Sequence, residues 1–132
     1  MIVVDASVLS TALVDDGPAG QSLRARISGH DLAAPALIDL EVAAVVLKGI
    51  RRGLVTENRA ALAIADLAAM PIDRVPHVGL LRRIWELNDN VTPYDAAYVA
   101  VAELYAAPLW TADAKLAKAP GPRCRINLIT AP

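Results

Sequence analysis

Large aromatic side chains are scarce in this 132-residue chain, which has no Phe and only 4% Trp and Tyr together. A core without many rings must be built from Ala, Leu, Val and Ile, and the 55% hydrophobic content supplies them. Layers of such small side chains let helices approach a sheet closely. A lone cysteine, Cys124, excludes an internal disulfide and fits a reducing compartment, where it reads as a small hydrophobe. Long apolar runs are absent too. Glu41, Lys48 and Glu103 interrupt them well short of the roughly 20 residues needed to span a membrane. From Met1 the chain enters an apolar segment directly, with no basic leader, so a cytoplasmic protein of one domain, residues 1–132, is expected. A formal net charge of −1 provides no global basic field to gather nucleic acid. Binding of that kind would rest on local groups: Arg24 with Arg26, Lys48 with Arg51 and Arg52, Arg82 with Arg83, and Lys115 and Lys118 with Arg123 and Arg125. Each is also an ordinary solvated helix face.

What the chain does have is a set of acids beside apolar segments. Ile2-Val3-Val4 is a short β-branched run, and helical spacing opens straight after Asp5. Pro108-Leu109-Trp110-Thr111 is a second such run, with Asp113 just beyond it. Both acids then stand at carboxyl ends of strands, where open α/β sheets bind ligands. Glu41 lies in the mostly apolar segment 37–47, which reads as a largely buried helix with Leu37, Glu41, Ala44 and Lys48 in one stripe. A glutamate there must be paired, protonated or metal-bound. Thr92-Pro93-Tyr94-Asp95 reads as a capped helix start, with Asp95 in line with Tyr98 and Ala102.

The remaining segments complete an alternating pattern. Helices are expected over 19–28, around Glu41, over 56–69 with Leu62, Ala65 and Ala69 on one face, and over 77–87. Strands are expected at 32–35, at 70–76 as a proline-flanked edge, and at 125–129. Strands alternating with helices argue for a parallel sheet covered on both faces.

Four segments together resemble the PIN-domain ribonucleases, specifically the toxins of bacterial VapBC toxin–antitoxin pairs. They are Val3-Val4-Asp5-Ala6-Ser7-Val8-Leu9, Glu41 in its helix, residues 92–100 (TPYDAAYVA), and residues 109–117 (LWTADAKLA). The resemblance implies an α/β fold, a single PIN-like domain with a parallel sheet of four or five strands and helices on both faces. It implies a crevice formed by Asp5, Glu41, Asp95 and Asp113, with Mg²⁺ or Mn²⁺ bound, and hydrolysis of RNA phosphodiester bonds that inhibits translation or growth. Ser7 and Thr111 match polar positions near the family's metal site, and Thr92 joins them as a supporting group. A VapB-like antitoxin partner is implied, and a homodimer or larger toxin–antitoxin assembly is expected.

Oxygen ligands without His or Cys suit a hard cation better than zinc. Asp5, Asp95 and Asp113 are the expected ligands, and Glu41 is a ligand or orients the attacking water. Set against this, Asp5, Asp95 and Asp113 could each simply cap a helix. A catalytically silent PIN-like scaffold would lack an acid, and all are present. A receiver-like signalling module needs an acidic pair after its first strand, whereas Ala6 follows Asp5. His30 and His77 read as surface residues, and Trp85 and Trp110 as core or interface.

Overall fold

In the computed structural model, which describes residues 1–130, every short apolar run forms a strand and the strands share one sheet. The elements are β1 (Ile2–Val4), α1 (Ala6–Val14), α2 (Pro18–Ile27), β2 (Leu32–Pro35), α3 (Ile38–Arg51), α4 (Glu57–Ala69) and β3 (Ile72–Val75). A 3₁₀ turn (Val78–Leu80) then leads into α5 (Leu81–Glu86), α6 (Pro93–Leu104), β4 (Leu109–Thr111), α7 (Ala114–Lys118) and β5 (Ile126–Leu128). The strand order is β3-β2-β1-β4-β5 and all pairs are parallel. Strands β1, β2 and β4 are buried throughout, as expected for a parallel sheet covered on both faces.

The chain leaves β1 towards β2 and β3, then returns to β4 on the other side of β1. Right-handed crossovers put α1 to α4 on one face and carry the return connection, with α6, across the opposite face. The direction reverses between β1 and β4, so their carboxyl ends border the crevice where ligands bind in such sheets. Val3 pairs with Leu109 and Val4 with Trp110, which brings Asp5 level with Thr111. The proline-flanked segment is an edge strand, as its composition predicts.

Three expectations need correction. Helix α3 is not largely buried: only Ile38, Val42 and Val46 are enclosed, while Leu40 is 76% exposed. The helix packs one stripe against α1 and α4, one position along from the stripe expected, and Glu41 lies half-buried on its flank. In α4 the inward face is Ala60, Ala63 and Leu67 rather than Leu62, Ala65 and Ala69, because the small residues turn inward where helices meet closely. Residues 77–87 form a 3₁₀ turn and a short helix instead of one continuous helix.

Four of the ten arginines hold this framework together. Arg24 donates to the carbonyls of Ala12 and Asp15, closing α1 against α2. Arg59 donates to Leu13 and Val14 and pairs with Asp16. Arg74 bridges Asp39 on α3 to the carbonyl of Leu67. Arg83 forms a two-pronged pair with Glu103 at 2.7 and 3.1 Å and donates to Gly121. Arg83 is thereby committed to the framework, neither a solvated helix face nor a free member of a nucleic-acid patch with Arg82. Cys124 is half-buried against the core, and burial raises its thiol pKa, consistent with a packing role.

Burial alone would raise the Glu103 pKa, but the hydrogen bond from Arg83, the Arg123 amide and both positive charges outweigh it and leave the pKa lowered. A depressed carboxylate stabilises the fold above its unfolded pKa of about 4.3 and loses that contribution as pH falls through its folded value. Glu103→Ala should therefore cost roughly 1–3 kcal/mol in urea unfolding at pH 7. The gap from the native protein should narrow below about pH 4; a gap independent of pH would contradict the ion pair's role.

Candidate active site

Asp5 follows the last residue of β1 and is 7% exposed, so its carboxylate needs partners. Its Oδ1 caps α1 by accepting from the Val8 amide at 3.1 Å and also accepts from the Ser7 hydroxyl. Its Oδ2 accepts from the hydroxyl of Thr111, the fully buried last residue of β4. Each hydroxyl also serves a second time. Ser7 Oγ accepts from the Ala112 amide and Thr111 Oγ1 from the Asp113 amide, both at 3.0 Å. A closed ring of hydrogen bonds thus joins the start of α1 to the turn after β4, and it fixes where Asp113 leaves the sheet. Asp113 itself is exposed and caps α7 through the Lys115 amide at 2.9 Å.

The other two acids arrive from helices on opposite faces. Thr92 caps α6 by accepting from the Asp95 amide at 3.2 Å, which places Asp95 in the first turn of that helix. One turn on, Tyr98 is 2% exposed and donates its hydroxyl to Glu41 Oε1 at 2.6 Å. That bond links α6 to α3 across the end of the sheet. Burial, then this bond and the charges of Glu41, Asp5 and Asp95, drive the Tyr98 pKa upward, so the phenol stays protonated as the donor. The Asp95 pKa is raised first by desolvation, then by Asp113, Asp5 and Glu41 in that order. All four acids therefore share one electrostatic neighbourhood.

Sequence reasoning identified Ser7, Thr92 and Thr111 as polar companions, and each makes a hydrogen bond within this cluster. It found the need for a partner at Glu41 but missed Tyr98, 57 positions away. The only signal was the placing of Tyr98 one helical turn after Asp95.

Among the described residues, no three Asp, Glu, His or Cys side chains are drawn tightly enough to ligate one ion directly. The donor chemistry nevertheless fits a hard cation. Every donor is oxygen, and Asp95 is held among carboxylates whose repulsion a cation would relieve. Mg²⁺ retains several waters and needs only one or two carboxylates, so ligation through water is compatible with this spacing.

A parallel sheet of this order, with Asp5 and Asp113 following the adjacent strands β1 and β4 and with Glu41 and Asp95 on flanking helices, defines an α/β domain. The sequence model of the PIN domain matches residues 2–122, and the chain belongs to that family. Ribonuclease VapC9 of Mycobacterium tuberculosis is 36% identical over 129 residues, covering 98% of both chains. Ribonuclease VapC1 of the same organism is 37% identical over 128 residues and 96% of both. In the solved structure described as Mycobacterium tuberculosis VapC20, a sarcin-ricin loop cleaving toxin, the same fold recurs with a TM-score of 0.68. That match covers 89% of this chain and 93% of the other at 14% identity, so it bears on the fold alone.

A carboxyl group whose pKa is raised on folding destabilises the protein while ionised, and this penalty disappears as pH falls through its folded value. Asp95→Asn removes the charge without removing bulk. In ion-free buffer at pH 7 the variant should melt at or above the native temperature, with the difference closing on acidification. A clearly lower melting temperature would show that Asp95 is held by contacts rather than strained by its neighbours.

Proposed function

We propose that this protein is a divalent-metal-dependent endoribonuclease, acting as the toxin of a type II toxin–antitoxin pair. What supports the reading is the electrostatic coupling of Asp95 to Asp113, Asp5 and Glu41, in a PIN domain whose relatives across nearly the whole chain are ribonucleases. Asp5, Asp95 and Asp113 would hold Mg²⁺ or Mn²⁺, directly or through water, and the ion would supply an activated water and neutralise charge on the phosphate and leaving oxygen. Glu41, kept in position by Tyr98, would use its second oxygen as a ligand or to orient the attacking water. In the hydrolysis a water oxygen would bond to phosphorus as the bond to the ribose oxygen breaks, a site carboxylate or solvent taking the water's proton and solvent protonating the leaving oxygen. Ser7 and Thr111 keep Asp5 aimed while the ion and substrate exchange.

A VapB-like antitoxin completes the pair. A groove of about 600 Å³ between α1, α3 and α4, with Val14, Val45 and Leu54 in its wall and Lys48 and Arg52 at its rim, offers a place for an amphipathic segment. Self-association is assigned to α5, where Leu81 and Trp85 lie one turn apart and Trp85 is 71% exposed. Trp85 is thus not a core residue, whereas Trp110 is. With RNA as substrate, the protein would act in the cytoplasm to halt translation or growth. No helix among the described residues is long and apolar enough to cross a membrane.

The direct test is expression of the native protein and Asp95→Asn in cells, followed by sequencing of newly formed RNA 5′ ends. Discrete cuts should appear only with the native chain, and purified enzyme should lose at least about 100-fold in rate on this substitution, as expected for loss of metal catalysis. Chelation should abolish cleavage, and Mg²⁺ or Mn²⁺ should restore it. Identical 5′-end profiles for both chains would favour a catalytically silent scaffold.

A further inference from the structure

A pocket of about 120 Å³ is bordered by Ser7 and Ala112, with Ser22 and Arg26 in its wall alongside the aliphatic side chains of Leu23 and Ile129. Two of its lining residues belong to or adjoin the ring that fixes Asp5: Ser7 donates to Asp5, and Ala112 precedes Asp113. Ser7 thus borders both the pocket and the hydrogen-bond network of Asp5. Its cation is Arg26, on the last turn of α2.

Arg26 differs from the other arginines of the framework. Arg24, Arg59, Arg74 and Arg83 are engaged by carbonyls or carboxylates, whereas Arg26, like Arg51, Arg52, Arg82, Arg123 and Arg125, makes no side-chain ion pair or hydrogen bond among the described residues. Its guanidinium instead lies over the Trp110 ring, 5.5 Å from the centroid, with His30 edge-on to the same ring at 5.7 Å. Stacking restrains the long side chain and leaves its N–H fork unspent, the condition in which arginine suits phosphate oxygens. Ser22, one turn earlier on α2, also lines the pocket.

We propose that this pocket is a phosphate subsite for the RNA backbone, taking the phosphate adjacent to the one cleaved, with Arg26 as its cation and Trp110 as the support that orients it. The inference rests on the ribonuclease reading and adds a substrate-positioning site outside the acidic cluster. The small volume suits phosphate oxygens rather than a whole nucleotide. It also supplies positive charge beside a site whose own carboxylates repel RNA, in a chain with no basic surplus.

The experiment measures binding of a 20-nucleotide RNA spanning a mapped cut to Asp95→Asn protein, titrated at several salt concentrations. Arg26→Met, which retains an apolar stem over Trp110, should weaken binding about 5- to 20-fold and reduce the salt-dependence slope by about 0.7, the signature of one lost phosphate contact on a single strand. Ser22→Glu, on a different residue of the same wall, should weaken binding by a similar factor and serves if the first variant misfolds. Binding and slope unchanged in both variants would overturn the subsite while leaving the nuclease reading intact. Failure of the Asp95→Asn protein to bind RNA, together with failure of the native chain to cleave it, would overturn both.

Discussion

The buried carboxylate of Asp5 is the constraint on which the rest of this structure turns. An ionised group with so little access to water is tolerated only with a full set of donors. Here the donors come from two places, the first turn of α1 and the end of β4. Satisfying one charge thus ties together two segments more than 100 residues apart, at the point where the sheet reverses direction. The same hydroxyls then accept from the backbone after β4 and set the path to Asp113. Stability and site geometry are in this respect one interaction network. A defect in Ser7 or Thr111 would be felt both as loss of a cap and as a displaced acid.

Helices from both faces of the sheet bring in the other acids. Helix α6 carries two functions one turn apart: Asp95 at its capped start and Tyr98 beneath it. Through the Tyr98 hydroxyl it also reaches Glu41 on α3. Burial and the neighbouring charges of Asp113, Asp5 and Glu41 raise the Asp95 pKa, so Asp95 is electrostatically strained in the ion-free site. A site of this kind is suited to a ligand that brings positive charge, and it is poorly suited to hold polyanionic RNA unaided. Arg26, stacked on Trp110 in the wall of the pocket that Ser7 also lines, is the cation we assign to that role.

Much of this was legible in the sequence because the α/β pattern is strong. A β-branched run followed at once by helical spacing puts Asp5 at a strand end, and the same logic applies at Asp113. The threonine-proline start of α6 places Asp95 without any tertiary information. What could not be read was anything depending on which helix faces touch. The apolar content of α3 exceeds what it buries, since Leu40, Val45 and Leu47 face outward, and composition alone made the helix look enclosed. In α4 the alanines, which look neutral in a hydropathy pattern, form the close contact instead of Leu62. The arginine pairs looked alike along the chain, but Arg24 and Arg83 serve carbonyls and Glu103, while Arg26 stacks on an indole. Hydrogen bonds between residues 57 and 106 positions apart leave no local trace.

Diffraction from crystals soaked in Mn²⁺, recorded for its anomalous signal, would test the central claim most directly. The account predicts a peak in the crevice within direct or water-mediated reach of Asp5, Asp95 and Asp113, with Glu41 still held by Tyr98. No peak there at millimolar ion, or one bound only by surface carboxylates elsewhere, would contradict a metal-dependent nuclease site built from these four acids.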